Sequence, residues 1–548
     1  MKTSFRLLLP LLLMPFAAFT QSSAEKAVTL AKSINTDQFF EQMNIISSDS
    51  MQGRETGSRG YNKAADYIVG NIEKLGLKPG GINGTYFQPV PYEKRKIDES
   101  SVIFSVNTKD QSIPGVFGSD ITIFPSIKSS EVKMDGTLVF AGYGLEIPEL
   151  SINDFQGIDV KDKIVVITMD SPTKIDRKKY STYLNPIDRI QSIEKKGAKG
   201  LILFTNRNML QNLIFKAFHG FFKEPYFDFQ ETDISNTLIG NGKDLLAFSK
   251  KEFIERIFTQ NGLKYKKTIK NLKKGNTVSK ELNSSLHLQY SLIRENISCK
   301  NIVAILPGSD PELSSEYVIL SAHLDHLGIG KAVKNDSIYN GAWDNASGCA
   351  TLLSVAETYK KLPEAPKRSV IFLWVTGEEK GLLGSHYFAD KPTVQKDKII
   401  SDMSLDMAGG LFEARDILPM GYKMSNLSQA VNFATNALSL VSDTSSALEN
   451  EYFERSDHFS FVSADIPALL IFGGMNAVDP KIDGMKVYKT WEKKIYHHPS
   501  DDMKQNFSKT PFLQGIQVNF LVSWFIANEM KEVSWKKDSE QYKRYLLK

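Results

Sequence analysis

The chain has 548 residues, 41% of them hydrophobic and 24% charged. That is the composition of an ordinary globular protein, and the length exceeds what a single hydrophobic core organises, so two or three domains are expected. A formal net charge of +4 is small for this size and gives no reason to expect nucleic acid or an anionic membrane as partner.

Lys2 and Arg6 precede an apolar run over 7–19, broken at Pro10 and Pro15 and followed by Thr20 and Gln21. This pattern predicts a signal peptide over 1–20 and hence a secreted or periplasmic protein. The run is short for a transmembrane helix, and no later apolar stretch is long enough to span a bilayer, so no integral membrane span is expected once the signal is removed.

Three regions follow, 21–96, 97–290 and 291–548. In the first, apolar spacing at Ala65, Tyr67, Ile68 and Ile72 predicts a helix over 61–77, stopped by Pro79-Gly80-Gly81; an extended stretch over 86–92 comes next. The second is strand-rich, with β-like runs at 137–141, 163–168 and 200–204 and a helix over 187–196 that ends at Gly197. Its aromatic cluster (Phe215, Phe218, Phe221, Phe222, Tyr226, Phe227 and Phe229) is expected to pack locally within an insertion rather than to wall a substrate cleft. In the third, apolar runs at 301–306, 317–322, 369–375, 403–407 and 468–472 alternate with helical patterns at 348–361 and 512–530. That alternation predicts an α/β fold with a mostly parallel central sheet flanked by helices. Of the two cysteines, Cys299 and Cys349, the second begins a predicted buried helix, so both are expected to be free.

Ligands of such sheets gather at the carboxyl ends of the strands, and every candidate ligand group follows an apolar run. His323-Leu324-Asp325-His326 comes directly after the run ending at Ala322. A histidine there can ligate a metal, and Asp325, two residues on, is placed to accept its other ring N–H. Asp344 lies among small residues in Gly341-Ala342-Trp343-Asp344-Asn345-Ala346-Ser347-Gly348, where it reads equally as a ligand or as a helix cap. Glu378 and Glu379 stand side by side after the most apolar run; adjacent carboxylates at the mouth of a buried strand need a cation, and one can bind metal while the other handles protons. Asp406 and the Tyr496-His497-His498-Pro499-Ser500-Asp501 segment complete the set. Histidines mixed with carboxylates suit zinc, and the number of groups suffices for two ions sharing one acid.

Taken together, these motifs resemble those of the co-catalytic zinc metallopeptidases, the family that includes bacterial leucyl aminopeptidases, glutamate carboxypeptidase and the transferrin-receptor ectodomain. The stretch Ser47-Ser48-Asp49-Ser50-Met51-Gln52-Gly53-Arg54 is similar to that family's first catalytic segment. The segments 138–144, 160–166 and 196–200 resemble the β-rich protease-associated domain inserted in several members. The resemblance implies two zinc ions (Zn2+): Asp344 bridging, His323 and Asp406 completing one site, Glu379 and His497 the other. It also implies Glu378 as general base and Asp325 as the partner of His323. The implied domain order is a catalytic segment over 21–96, the insertion over 97–290 and the main catalytic segment over 291–548. A peptide is the expected substrate and aminopeptidase the expected activity. A glutamate-carboxypeptidase-like enzyme with Arg455 in its pocket, a one-zinc glutaminyl-cyclase-like acyltransferase and an inactive receptor-like binding protein are the alternatives. Whether the chain is a monomer or a homodimer is left open. Two positions depart from the family pattern. Phe453 stands where some members carry an oxyanion-holding tyrosine before Ser456-Asp457-His458, and Asp465 replaces the usual glycine before Ile466-Pro467.

Overall fold

Seven strands build the sheet that carries the candidate ligands. They are β1 (Phe87–Ile97), β2 (Ser279–Leu306), β3 (Tyr317–His323), β4 (Ser369–Val375), β5 (Ile399–Ser404), β6 (Asp416–Met420) and β7 (Ala468–Gly473). The computed structural model from which they are drawn describes residues 22–126, 129–177, 179–223, 225–230, 245–445 and 447–547. The expected signal peptide lies outside the described residues.

Every residue of β4 is buried, as a strand covered on both faces requires. β4 runs parallel to β3, β3 to β5 and β5 to β7. β2 joins β4 antiparallel on one side and β1 joins β2 antiparallel; on the other side β6 joins β7 antiparallel, with the two-residue strand Val441–Ser442 parallel beyond it. The expected mostly parallel sheet is therefore mixed, with a parallel centre and antiparallel flanks. Its apolar cluster draws on residues from Ala27 to Met530 and includes the helices Gly348–Lys360 and Lys509–Asn528.

Some boundaries differ from the sequence expectation. The first long helix is Arg59–Lys74, opened by the Ser58 hydroxyl accepting from the Tyr61 N–H. It stops before the Pro-Gly-Gly signal because Gly76 takes a positive φ of 64°, the usual glycine exit from a helix. The run at 403–407 is strand only as far as Ser404; Met407, at φ 50°, has already left the extended region, so Asp406 lies on a turn beyond the strand.

Residues 97–290, which include the last residue of β1 and the first part of β2, hold two apolar clusters. Strands Glu131–Ala141, Ile164–Thr168, Gly200–Phe204 and Leu246–Ser249 lie parallel there, and the first half of β2 pairs antiparallel with Glu131–Ala141. One continuous 28-residue strand thus serves both layers. The aromatic cluster divides. Phe215 packs within the intervening region, whereas Phe227 and Phe229 join Tyr92, Cys299 and Leu383, just beyond the Glu378-Glu379 turn. Cys299 and Cys349 are free and buried.

Candidate active site

The ends of β3, β4 and β5 deliver three ligand loops to one place, and Arg54 ties two of them together. Its fully buried guanidinium donates to the main-chain oxygens of Leu324 (2.9 Å), Ile46 (2.8 Å), Asn340 (2.7 Å) and Gly341 (3.0 Å). The loop after His323 and the loop before Asp344 are therefore held by one planar group. Asp501 supports the second loop from the other side: its carboxylate accepts from the N–H groups of Trp343 (3.1 Å) and Asp344 (3.0 Å). Asn345 links that loop to the Asp406 turn, donating to Leu405 O (3.0 Å) and accepting from the Met407 N–H (3.0 Å). Arg54 and Asn345 received no role from the sequence, because their work is done through main-chain atoms that no side-chain pattern advertises.

Asp344 is the hub. One oxygen, Oδ1, stands 3.4 Å from His323 Nε2, and the other, Oδ2, stands 3.2 Å from His497 Nε2. His323 Nε2 is also 3.3 Å from Asp406 Oδ1, and His497 Nε2 is 3.3 Å from Glu379 Oε2. All five expected ligand side chains are thus brought together in two groups that share Asp344. Asp344 is not a helix cap: the helix begins at Gly348, four residues on. Burial opposes its charge, yet the neighbouring imidazoles of His323, His497 and His326 outweigh that and hold its carboxyl well below the usual range. His497 Nε2 is near two carboxylate oxygens but makes a hydrogen bond to neither. A nitrogen aimed between two oxygens suits a cation placed there, and the histidine-carboxylate donor set suits zinc.

Glu378 sits at the rim, with Oε2 4.0 Å from His323 Nε2 and its side chain 11% exposed. Burial, then the charges of Asp406 and Glu379, push its carboxyl well above the ordinary range. Asp325 departs from expectation. Its carboxylate does not hold His323, whose Nδ1 instead meets the main-chain oxygen of Asp325 at 3.2 Å. The carboxylate accepts from Thr56 Oγ1 (3.0 Å) and from the N–H groups of Glu378 (3.2 Å) and Glu379 (3.3 Å). The alternation that would place residues 323 and 325 on one side fails because the strand stops at His323.

A cavity opens beside Asp406, lined by Met407, Met420, Leu448, Leu470, Phe472 and Tyr488, with Tyr452, Arg455, Glu492 and Tyr496 at its polar side. Phe453 does not face it: the ring is buried against Tyr545 (centroids 4.4 Å) and His458 (4.8 Å). Tyr496 does, with its ring stacked on His497 at 3.8 Å; burial and the charges of Asp344, Glu379 and Glu378 raise its hydroxyl pKa.

Residues 301–518 match the model of peptidase family M28. Over that segment, about two fifths of the chain, the protein is similar to members of the family. Leupeptin-inactivating enzyme 1 of Streptomyces exfoliatus is 28% identical over 179 residues, 32% of this chain and 36% of that protein. An aminopeptidase of Pseudomonas aeruginosa (strain UCBPP-PA14) is 32% identical over 125 residues, 23% of this chain and 21% of the relative. The matches thus span about a third and about a fifth of these curated relatives. The solved aminopeptidase from Aneurinibacillus sp. strain AM-1 is similar to this chain in fold at 19% identity, covering 92% of this chain and 97% of that one with a TM-score of 0.50.

Proposed function

We propose that the chain is an exported zinc-dependent aminopeptidase that removes N-terminal residues with large apolar side chains. The observation that carries this is the division of Asp344, one oxygen toward the His323–Asp406 pair and the other toward the His497–Glu379 pair. His323, Asp406 and Asp344 would hold one zinc ion, and His497, Glu379 and Asp344 a second. Bound zinc supplies Lewis acidity to the scissile carbonyl and acidifies the attacking water. Glu378 takes the proton from that water and passes it to the leaving amine. Asp325 fixes the main chain of Glu378 and Glu379, which sets where the base stands. Tyr496 takes the oxyanion-holding role that Phe453 cannot fill, because its hydroxyl is felt by the acid cluster and its ring borders the cavity. The apolar wall of Met407, Met420, Leu448, Leu470 and Phe472 suits a leucine-sized or aromatic side chain.

The separate apolar clusters within 97–290 support reading that stretch as an inserted protease-associated domain. Among the described residues no helix is long and apolar enough to cross a membrane; export rests on residues 1–20. One observation favours a second reading. Arg455 lines the cavity, so an acidic substrate residue has a cation to meet there, as a carboxypeptidase-like enzyme would require. Arg455 already stacks on Tyr452, 4.8 Å from its ring, which favours the first reading.

The test is to count zinc in the purified chain and to assay leucyl, phenylalanyl and glutamyl chromogenic amides with and without a chelator. Two zinc ions per chain, with chelator-sensitive turnover of the first two amides, are expected. A single zinc ion with no amide hydrolysis would move the reading to an acyltransferase. An intact, metal-free and inert protein would move it to a binding role.

A further inference from the structure

His326 received no role from the sequence, yet the structure places it inside the metal centre. Its ring is fully buried. Nδ1 lies 2.7 Å from Glu379 Oε1 with hydrogen-bond geometry, and 4.0 Å from Asp344 Oδ2. The ring is clamped. A Cβ on Gly341 would fall 2.6 Å from both Cγ and Cδ2 of His326, so only glycine lets the ligand loop lie this close. On the other side the His497 ring meets it edge-on, with centroids 5.7 Å apart. The His326 main-chain N–H donates to Arg54 O at 3.2 Å, which anchors the residue to the same strut that holds both ligand loops. Nε2 has no protein hydrogen-bond partner, so Nδ1 is the one ring nitrogen with an assigned task.

The two histidines near Glu379 therefore differ in kind. His497 Nε2 stands 3.2 and 3.3 Å from oxygens of two different carboxylates and is hydrogen-bonded to neither; that is a ligand's geometry. His326 Nδ1 is in line with a single oxygen at a short distance; that is a donor's geometry, and a charge-assisted one. Glu379 is divided between them, Oε1 to His326 and Oε2 toward His497.

We propose that His326 is a positioning residue of the second metal position. Its Nδ1–H occupies Oε1 of Glu379 and so presents Oε2 alone to zinc, beside His497 Nε2 and Asp344 Oδ2. A carboxylate held at one oxygen cannot swing to chelate with both, nor turn away when substrate enters. Partners of this kind typically change metal affinity by about 10–100-fold. The inference rests on the two-zinc reading above.

The experiment compares the full-length chain with His326→Asn and His326→Phe. Asparagine puts an amide N–H where imidazole Nδ1 stands but has no lone pair there to offer a metal; phenylalanine keeps the ring and removes the donor. Zinc binding is measured by competition with a chromogenic chelator, and the Tm of each metal-free form is recorded. His326→Phe is expected to weaken the second zinc by about 10–100-fold and leave the first within about twofold, while His326→Asn restores most of the lost affinity. If His326→Asn is as weak as His326→Phe, the imidazole is a ligand and the proposal fails. If His326→Phe binds both ions like the unaltered chain, the ring merely packs and the proposal fails. Should His326→Phe not fold, His326→Asn decides alone: retained affinity supports the donor role, and loss of the second zinc overturns it. Fewer than two zinc ions in the unaltered chain would be a failure of the two-zinc reading itself, visible before any variant is compared.

Discussion

Arg54 offers the sharpest test of how the ligand loops are held. Replacing it with methionine preserves much of the side-chain volume and removes every donor. Four main-chain oxygens, those of Ile46, Leu324, Asn340 and Gly341, then lose their partner in a fully buried place. At about 1 kcal/mol for each bond, and more wherever an oxygen stays dry and unpaired, the loss is about 4 kcal/mol or above. The backbone at residue 54 has a positive φ of 52°; methionine pays the same steric cost there as arginine, so the comparison isolates the guanidinium. Arg54 is also a cation beside Asp344, Asp325 and Asp501, and its removal leaves those acids more repulsive. At about 2–4 °C per kcal/mol for a domain of this size, Tm should fall by about 8–16 °C. The assay is differential scanning fluorimetry of the metal-free and zinc-loaded forms, with zinc affinity measured alongside. Both metal positions should weaken, because the loops that carry His323 and Asp344 come apart together. A variant that melts with the unaltered chain and binds zinc equally well would refute the strut.

Three further outcomes are expected. Glu378→Gln should lower kcat by about 10²–10⁴-fold with both zinc ions retained; loss of zinc alongside activity would make Glu378 a ligand rather than the base. Tyr496→Phe should lower kcat by about 10²–10³-fold with KM little changed, and unchanged kcat would remove it from the oxyanion site. Burial raises the Asp154 carboxyl to about 6, against the N–H groups of Tyr143 and Leu145 that partly offset it. Its folded pKa therefore lies above the unfolded value of about 3.9, so the folded form binds the extra proton between about pH 4 and 6 and this contribution to stability is lost as pH rises through that window. Relative to Asp154→Asn, the unaltered chain should gain stability as pH falls from 7 to 4.5; parallel pH–Tm curves would show that Asp154 does not titrate there.

What the sequence made legible follows from burial. Ser369–Val375 and Gly200–Phe204 are covered on both faces, so their apolar runs mark them without reference to neighbours. Ser279–Leu306 hides most of its length because its first half is one-sided and rich in Lys, Glu, Asn and Ser, and only its last residues look like a strand. The ligands were readable because a histidine or acid after an apolar run is chemically out of place. The supports were not. Asp325 serves the amides of Glu378 and Glu379, residues more than fifty positions away, and His326 is distinguished from His498 only by which of them the turn after β3 or the turn before Asp501 brings against Glu379. Phe453 was flagged as a missing hydroxyl; the structure shows a ring buried against Tyr545, so the substitution reflects a packed wall and the polar group is sought at Tyr496.

β1 and β2 pair from Ile97 opposite Leu292 to Phe87 opposite Ile302. The stretch they bracket enters on one strand and leaves on its neighbour, at the place where a hairpin would otherwise turn. In modular terms it is a cassette fitted at the tip of a ribbon, removable in principle without rerouting the chain. A two-residue Asn-Gly turn joining the strand ends would yield a miniature that keeps Arg54 and the site residues from His323 to Asp501. It would give up the Tyr226–Phe229 strand, which lines β1 and places Phe227 5.1 Å from the Lys380 ammonium.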